Sequence, residues 1–368
     1  MVEWKKLGDI AEITIGEFVH RDKQNPNAKY PVYNGGTTYT GFYDHYNNTG
    51  NKIVISARGY AGFVNRVFDN YWAGNSSYSI KIDNSQIIWH YVYYYLKNEQ
   101  YNIMSMQQKG GGLASISKKQ VQELSIPIPS LQEQERIVGI LDTFTASIDN
   151  LKEQIEQRRK QYEHYRDSLL DLEGTSGVDM KMIVDICKKI CSGGTPSTSH
   201  KEYYSGNIPW LRTQEIDWKD IYDTEIKITE DAIANSSAKM IPENCVIVAM
   251  YGATAAKVAI NKIQLCTNQA CCNLEIEESK ALYKYVYFWL CREYLNLRSM
   301  GEGSQNNINS QKVKNYPIPL PPLSEQERIV SILDKFEASI ANLEAQLEQR
   351  QKQYEYYRER LLTFDKLE

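Results

Sequence analysis

The stretch LQEQERIVGILDTFTASIDNLKEQIEQRRKQYEHYRDSLL, residues 131–170, returns as LSEQERIVSILDKFEASIANLEAQLEQRQKQYEYYRERLL, residues 323–362. Twenty-eight of the 40 aligned positions are identical, ungapped, at an offset of 192. In the first copy the apolar positions run Ile137, Leu141, Phe144, Ile148, Leu151, Ile155, Arg158, Tyr162, Tyr165, Leu169. The second copy repeats them as Ile329, Leu333, Phe336, Ile340, Leu343, Leu347, Arg350, Tyr354, Tyr357, Leu361. Steps of four and three make a heptad seam, broken only by the arginine. A helix of 40 residues is about 60 Å long, and so narrow a stripe needs a partner helix. Two matching stripes in one chain supply it as an antiparallel pair, because the intervening segment must bring the chain back. Arg158 and Arg350 are expected to set the register by finding acidic partners. The prolines of IPIPSLQEQE and YPIPLPPLSEQE are expected to stop a preceding strand, and Ser130/Glu133 and Ser324/Glu327 have capping-box spacing.

The segments before each helix also repeat, more faintly. IVISARGYAGFV (53–64) aligns with VIVAMYGATAAK (246–257), placing Gly59 opposite Gly252. WAGNSS (72–77) aligns with LCTNQA (265–270), placing Asn75 opposite Asn268, and YVYYYL (91–96) aligns with YVYFWL (285–290). KIVIS, YSIKI and CVIVAM read as strands, and WHYVYYYLKN and KYVYFWLCREYL as short helices, with Gly- and Asn-rich loops between. The expected fold is α+β, a tandem repeat with a pseudo-two-fold axis. Two mixed α/β domains, 1–129 and 173–321, are joined and separated by long antiparallel coiled-coil helices, 130–172 and 322–368.

Composition narrows the function. The 368 residues carry a net charge of −4; the two helical stretches hold −3 and −2, so the rest is near +1. Such domains bind a polyanion through local basic loops, weakly unless a partner adds positive surface. No apolar run is long enough to span a membrane, and MVEWKKLGDI lacks the apolar stretch of a signal peptide, so a cytoplasmic protein is expected. The seven cysteines have no CxxC spacing and read as reduced thiols. There is no GxxxxGK[ST] loop, no Asn/Asp-Pro-Pro-aromatic motif, and the five histidines are scattered. No catalytic or metal-binding residue is therefore expected.

The paired IPIPSLQEQERIV and IPLPPLSEQERIV entries, SARGYAG, and GGTPS followed by NIPWLRTQEI resemble the specificity subunits of type I restriction–modification systems along essentially the whole chain. The resemblance implies two target-recognition domains, each reading half of a split site on double-stranded DNA. It implies helices that set the spacer and dock two methyltransferase subunits, with restriction subunits joining where a system has them. S-adenosylmethionine, ATP and magnesium are expected on those partners and none in this chain. ITIGEFVHRD stands where CSGGTPSTSH would in the first domain, so a role for that loop does not carry over. Related but unlike domains predict unlike half-sites with centres roughly one DNA turn, about 34–36 Å, apart.

Arginine bridges a guanine edge in the major groove, and glutamine or asparagine an adenine edge. The candidate DNA contacts are accordingly Arg58, Tyr60, Arg66, Lys109 and Ser115 in the first domain. In the second they are Thr195, Ser197, Arg212, Gln214, Tyr251, Lys257, Gln305 and Asn306. The plainer reading of each cation is a solvated charge, and of each tyrosine a core residue. Glu133, Glu135, Arg136, Glu325, Glu327 and Arg328 are candidates for the partner interface. The competing function is a coiled-coil adaptor joining two protein-binding domains.

Overall fold

The computed structural model describes residues 2–108, 113–302 and 307–365. It divides into two units, Met1–Glu153 with Glu344–Glu368, and Gln154–Leu343, so each unit holds one mixed domain and parts of both long helices.

In the first unit the principal sheet has the order Ala11–Ile15, Ser77–Ile82, Lys52–Ser56, Val64–Val67, all neighbours antiparallel. A smaller sheet joins Gly41–Tyr43, Tyr30–Tyr33 and Trp72–Ala73. Ile53 and Ile55 pack beneath the helix Trp89–Asn98, whereas Val54 packs toward the smaller sheet with Tyr71 and Ala73. Both faces of this strand are thus covered, which is why KIVIS is apolar without alternation. The second unit repeats the order as Cys187–Ser192, Cys271–Ile276, Val246–Ala249, Val258–Asn261, adding Asp220–Ile221 at the edge. Its smaller sheet is Ile226–Ile228, Ile208–Leu211, Leu265–Thr267, Met240–Ile241, and its helix is Tyr283–Arg292. The paired strands place Trp72 opposite Val32 and Cys266 opposite Trp210. Gly74, not Asn75, is therefore the counterpart of Asn268. The turn after Val246–Ala249 carries one residue more than its counterpart, as the registers Ile55↔Val64 and Val248↔Val258 require.

Each domain is closed by a two-stranded ladder, Glu3–Lys6 with Ser125–Ile128, and Asp179–Met182 with Pro317–Leu320. The prolines do not simply stop these strands. Pro127 and Pro319 lie inside them, tolerated because a two-stranded ladder leaves one edge without ladder hydrogen bonds. Their carbonyls accept the buried hydroxyls of Tyr91 and Tyr285, each at 2.7 Å.

The long helices span Leu131–Leu169 and Leu323–Leu362. In the first unit Ile137 and Leu141 share a core with Leu362, while Phe144 meets Tyr354 and Tyr357, so the two helices run antiparallel. In the second unit Ile329 and Leu333 share a core with Leu170, and Phe336 meets Tyr162 and Tyr165. The arginines that interrupt the seam pack on aromatic faces instead of carboxylates: Arg350 lies 5.7 Å from the Phe144 ring centre, and Arg158 lies 5.8 Å from that of Phe336. The phenylalanines sit where the heptad places them, so a guanidinium in the seam is accommodated on a ring face, with no buried countercharge among the described residues. Ser130 forms half of the expected box, accepting from the Glu133 N–H at 3.3 Å, while the Glu133 carboxylate turns to Arg136. The second helix begins at Leu323, which puts Ser324 inside its first turn and prevents a capping box.

Gln134 and Gln326, at the same repeat position, are fully buried. The Gln134 side chain accepts from the Ile88 N–H at 2.9 Å and donates to the Gln86 and Pro129 carbonyls at 3.1 and 3.0 Å. Gln326 repeats this with the Leu282 N–H and the Lys280 and Pro321 carbonyls. Each glutamine therefore fastens a long helix to the start of its domain's own helix.

The second unit also holds a half-buried acid, Glu337. Burial pushes the Glu337 carboxyl up to about 7, despite the Tyr162 hydroxyl that donates to it at 3.2 Å. The folded unit holds a proton that the unfolded chain, near the ordinary value of 4.5, has released. This contribution is complete below that value and is lost as pH rises through 7. The full interval corresponds to ~3 kcal/mol, and partial solvent access reduces the expected effect to about 1–2 kcal/mol. Glu337→Gln should thus raise the urea midpoint at pH ~8 and change it little at pH ~5. An equal change at both pH values would sink the assignment.

Candidate nucleic-acid interface

In the first domain three loop segments meet at one end of the sheets. Gly59, at φ 74°, turns the chain after Lys52–Ser56. Its N–H donates to the Ala114 carbonyl at 3.1 Å, and the Tyr60 N–H donates to the Gly35 carbonyl at 3.0 Å. Arg58 bridges Ser115 in a one-residue ladder. Arg58, Tyr60 and Ser115 are thereby brought together, with Tyr60 58% exposed. Arg58 is exposed and forms no ion pair among the described residues. Lys109 and the glycines 110–112 lie outside the described residues.

Arg66 does not join this group, and its place corrects the expectation. It stands on the strand Val64–Val67 with its guanidinium 3.1 Å from both His90 and the Tyr94 hydroxyl, and 3.5 Å from Asp142. The rings of Phe68, Tyr93 and Tyr94 surround it. It is a strut from sheet to helices. The residue that sequence spacing could not separate from a surface arginine is distinguished by what folds against it.

The second domain assembles the corresponding end. Gly252, at φ 77°, makes the same turn as Gly59, so Tyr251 stands where Arg58 does. The Gly252 N–H donates to Asn307 at 3.2 Å, and the segment Thr213–Glu215 packs beside Gly252–Thr254. The Asn268 N–H donates to the Leu211 carbonyl at 3.0 Å, and the neighbouring Gln269 accepts from the Thr195 hydroxyl. Thr195, Gln214 and Tyr251 are thus exposed on connected loops. Ser197, also exposed, pairs with Ser199 at 2.7 Å. Arg212 and Lys257 are present but engaged, with Glu225 at 2.5 Å and Asp217 at 2.6 Å. Gln305 and Asn306 lie outside the described residues. Gln269 and Asn307 were not among the expected contacts; their amide side chains beside known loop motifs were the available signal.

The GGTPS loop has a structural reason for its first glycine. A Cβ on Gly193 would fall 1.9 Å from the Thr267 carbonyl oxygen. Gly16 stands in the same relation to the Ala73 carbonyl, at 2.1 Å. The indole of Trp210 then donates to the Gly194 carbonyl, and that of Trp72 to the Glu17 carbonyl, both at 2.9 Å. The first domain therefore keeps the seat of this loop while lacking its TPS side chains. Phe18, 63% exposed, occupies the following stretch instead.

On the long helices, Arg136 holds Glu133 through two hydrogen bonds of 2.8 and 2.6 Å, and Arg328 holds Glu325 through bonds of 2.8 and 2.7 Å. These side-chain bonds hold both carboxyls below the usual range. Glu135 and Glu327 are exposed beside them. The two helix entries thus present the same charge arrangement. Among the described residues no group of His, Cys, Asp or Glu has the arrangement of a metal site, and no helix is long and apolar enough to cross a membrane.

Comparison with known proteins agrees across the chain. The type I restriction modification DNA specificity domain matches twice, over residues 1–158 and 175–350. The chain is 32% identical over 398 residues to the EcoR124I/EcoR124II type I restriction enzyme specificity subunit of Escherichia coli, covering 100% of this chain and 95% of that one. Its fold matches the type I S subunit crystal structure from M. genitalium with a TM-score of 0.71 at 17% identity, covering 100% and 97% of the two chains. A chain from a structure concerned with complex assembly and conformational transition of a type I restriction–modification system matches with a TM-score of 0.61, also at 17% identity, covering 99% and 98%.

Proposed function

Since the chain belongs to the type I restriction–modification specificity-subunit family, with two tandem target-recognition domains, we propose that each domain reads one half of a bipartite, asymmetric site on double-stranded DNA. The observation that carries this is the pair of equivalent turns at Gly59 and Gly252, alike in backbone and different in side chains. One presents an exposed arginine, the other a tyrosine among amide side chains, so the bases accepted at the two halves should differ. The repeated helices set the unread spacer between the halves. They dock two methyltransferase subunits through the matching surfaces at Glu133, Glu135, Arg136 and Glu325, Glu327, Arg328. A neutral pair of recognition domains needs such partners to supply the positive surface that holds DNA. This chain itself carries no catalysis. Methylation and cleavage belong to partner subunits, which hold S-adenosylmethionine, ATP and magnesium, and the assembly works in the cytoplasm on host and invading DNA.

The deciding experiment maps methylation of host DNA with and without this gene. A split motif with two unlike halves around a fixed gap should lose its mark in the deletion. If no motif changes and no methyltransferase co-purifies, the adaptor reading replaces this one. With the motif known, Arg58→Ala should weaken binding of the assembled complex about 10- to 100-fold, the value of one bidentate base contact, and relax the requirement at the first half-site only. Its thermal stability should not change, because the side chain is exposed. Native affinity in that variant would remove Arg58 from the interface.

A further inference from the structure

We propose that Glu225 and Asp217 are specificity-determining residues of the second domain, exposed carboxylates of its own that hold Arg212 and Lys257 back from bare phosphate. The inference rests on the DNA-recognition reading above and adds to it how wrong sites are refused.

Glu225 is held in position by the fold. Glu215 accepts from the backbone N–H of Arg212 at 3.2 Å with one oxygen and from that of Glu225 at 2.9 Å with the other. This bracket sets the two residues face to face, and the Arg212 guanidinium donates to Glu225 at 2.5 Å. Thr224 secures the same corner, accepting from the Trp210 N–H at 3.0 Å. The second pair is built separately. Lys257 donates to Asp217 at 2.6 Å while lying 4.3 Å over the ring of Trp218. Trp218 is held at φ 49°, a conformation uncommon for a bulky residue, with its N–H on the Val258 carbonyl at 3.0 Å.

These pairs are poor candidates for stability. The side chains of Glu225 and Asp217 are 72% and 59% exposed, and exposed ion pairs contribute little to folding. Their placement matters more for what approaches from outside. A phosphate reaching Arg212 or Lys257 must displace a carboxylate or lie beside it, and like charges repel. A base edge offers neutral acceptors, so it engages the guanidinium without that repulsion. The carboxylates thus penalise phosphate binding more than base readout, and wrong sites are refused by that difference. The first domain is built differently, since Arg58 has no such carboxylate among the described residues.

The test uses the full chain assembled with its methyltransferase subunits. It compares the mapped duplex with one whose second half-site is scrambled, across a range of salt. Glu225→Gln and Asp217→Asn should each tighten binding to the scrambled duplex several-fold and tighten the mapped duplex less, lowering the ratio between them. The salt dependence on scrambled DNA should steepen by about 0.9 in logarithmic slope for one additional phosphate neutralised. Scrambling the first half-site serves as the internal control, and discrimination there should be unaffected. A ratio equal to the native one overturns the proposal, as does an equal tightening on both duplexes, which would make the carboxylates general repellents of DNA. A native assembly that binds mapped and scrambled duplexes alike overturns the recognition reading itself.

Discussion

Replacing Gln134 by methionine is expected to destabilise the first unit by about 2–4 kcal/mol, a large share of the stability of any domain. Methionine fills a similar volume, so the loss is one of hydrogen bonds. The Ile88 N–H and the Gln86 and Pro129 carbonyls all lose their partner, the Pro129 carbonyl in a fully buried site and the other two in a partly buried one. Each buried backbone group left unpaired costs roughly 1–3 kcal/mol. Gln132→Met is the control, two residues away on the exposed face of the same helix. Urea unfolding followed by helix signal should separate the variants clearly, and equal midpoints would refute the role. Gln326→Met should do the same to the second unit, because its three bonds have the same donors and acceptors by position.

Gly193→Ala should abolish recognition of the second half-site while leaving the first in use. The added methyl would fall 1.9 Å from the Thr267 carbonyl oxygen, and that oxygen belongs to a strand and cannot rotate away. The loop must lift instead, losing the Gly194 N–H bond to the same carbonyl at 2.9 Å and the hydrogen bond from the Thr195 hydroxyl to Gln269. One misplaced loop costs every base contact it positions, each worth ~1–3 kcal/mol of discrimination. Methylation sequencing of a strain carrying this variant reports the outcome directly. An unchanged split motif would show that the loop does not position readout. Gly16→Ala offers the comparison in the first domain, where the clash is with the Ala73 carbonyl at 2.1 Å.

Much of this architecture is legible without coordinates because repetition is visible in the chain itself. The helix seam follows from heptad spacing, and the two domains follow from aligned fragments such as YVYYYL and YVYFWL. The equivalence of Gly59 and Gly252 is also readable, and their matching positive φ gives the physical cause: both turns need a residue without a Cβ. Other pairings slip. Aligned fragments set Asn75 against Asn268 because one extra residue in the second domain's turn shifts the strand that follows, and only strand register reveals such a shift.

The site is less legible than the fold. Arg58 and Arg66 look alike in sequence, eight residues apart. One is exposed at a loop and the other is a strut among His90, Tyr94 and Asp142, residues brought together from the domain's own helix and the long helix that follows it. Likewise Arg158 and Arg350 announce a polar break in the seam, but their partners are set by the antiparallel stagger, which delivers Phe336 and Phe144. What the sequence alone determined was therefore the periodic and the repeated: two long amphipathic helices, two related domains, and loops rich in glycine and amides between apolar strands. What only the tertiary structure decided was which polar side chains face solvent and which are already engaged. Arg58 is exposed, Arg212 and Lys257 are held by Glu225 and Asp217, and Gln134 is a buried clamp. Local pattern fixes backbone conformation through nearest neighbours, whereas the state of a charged side chain depends on groups distant in the chain that meet it only after folding.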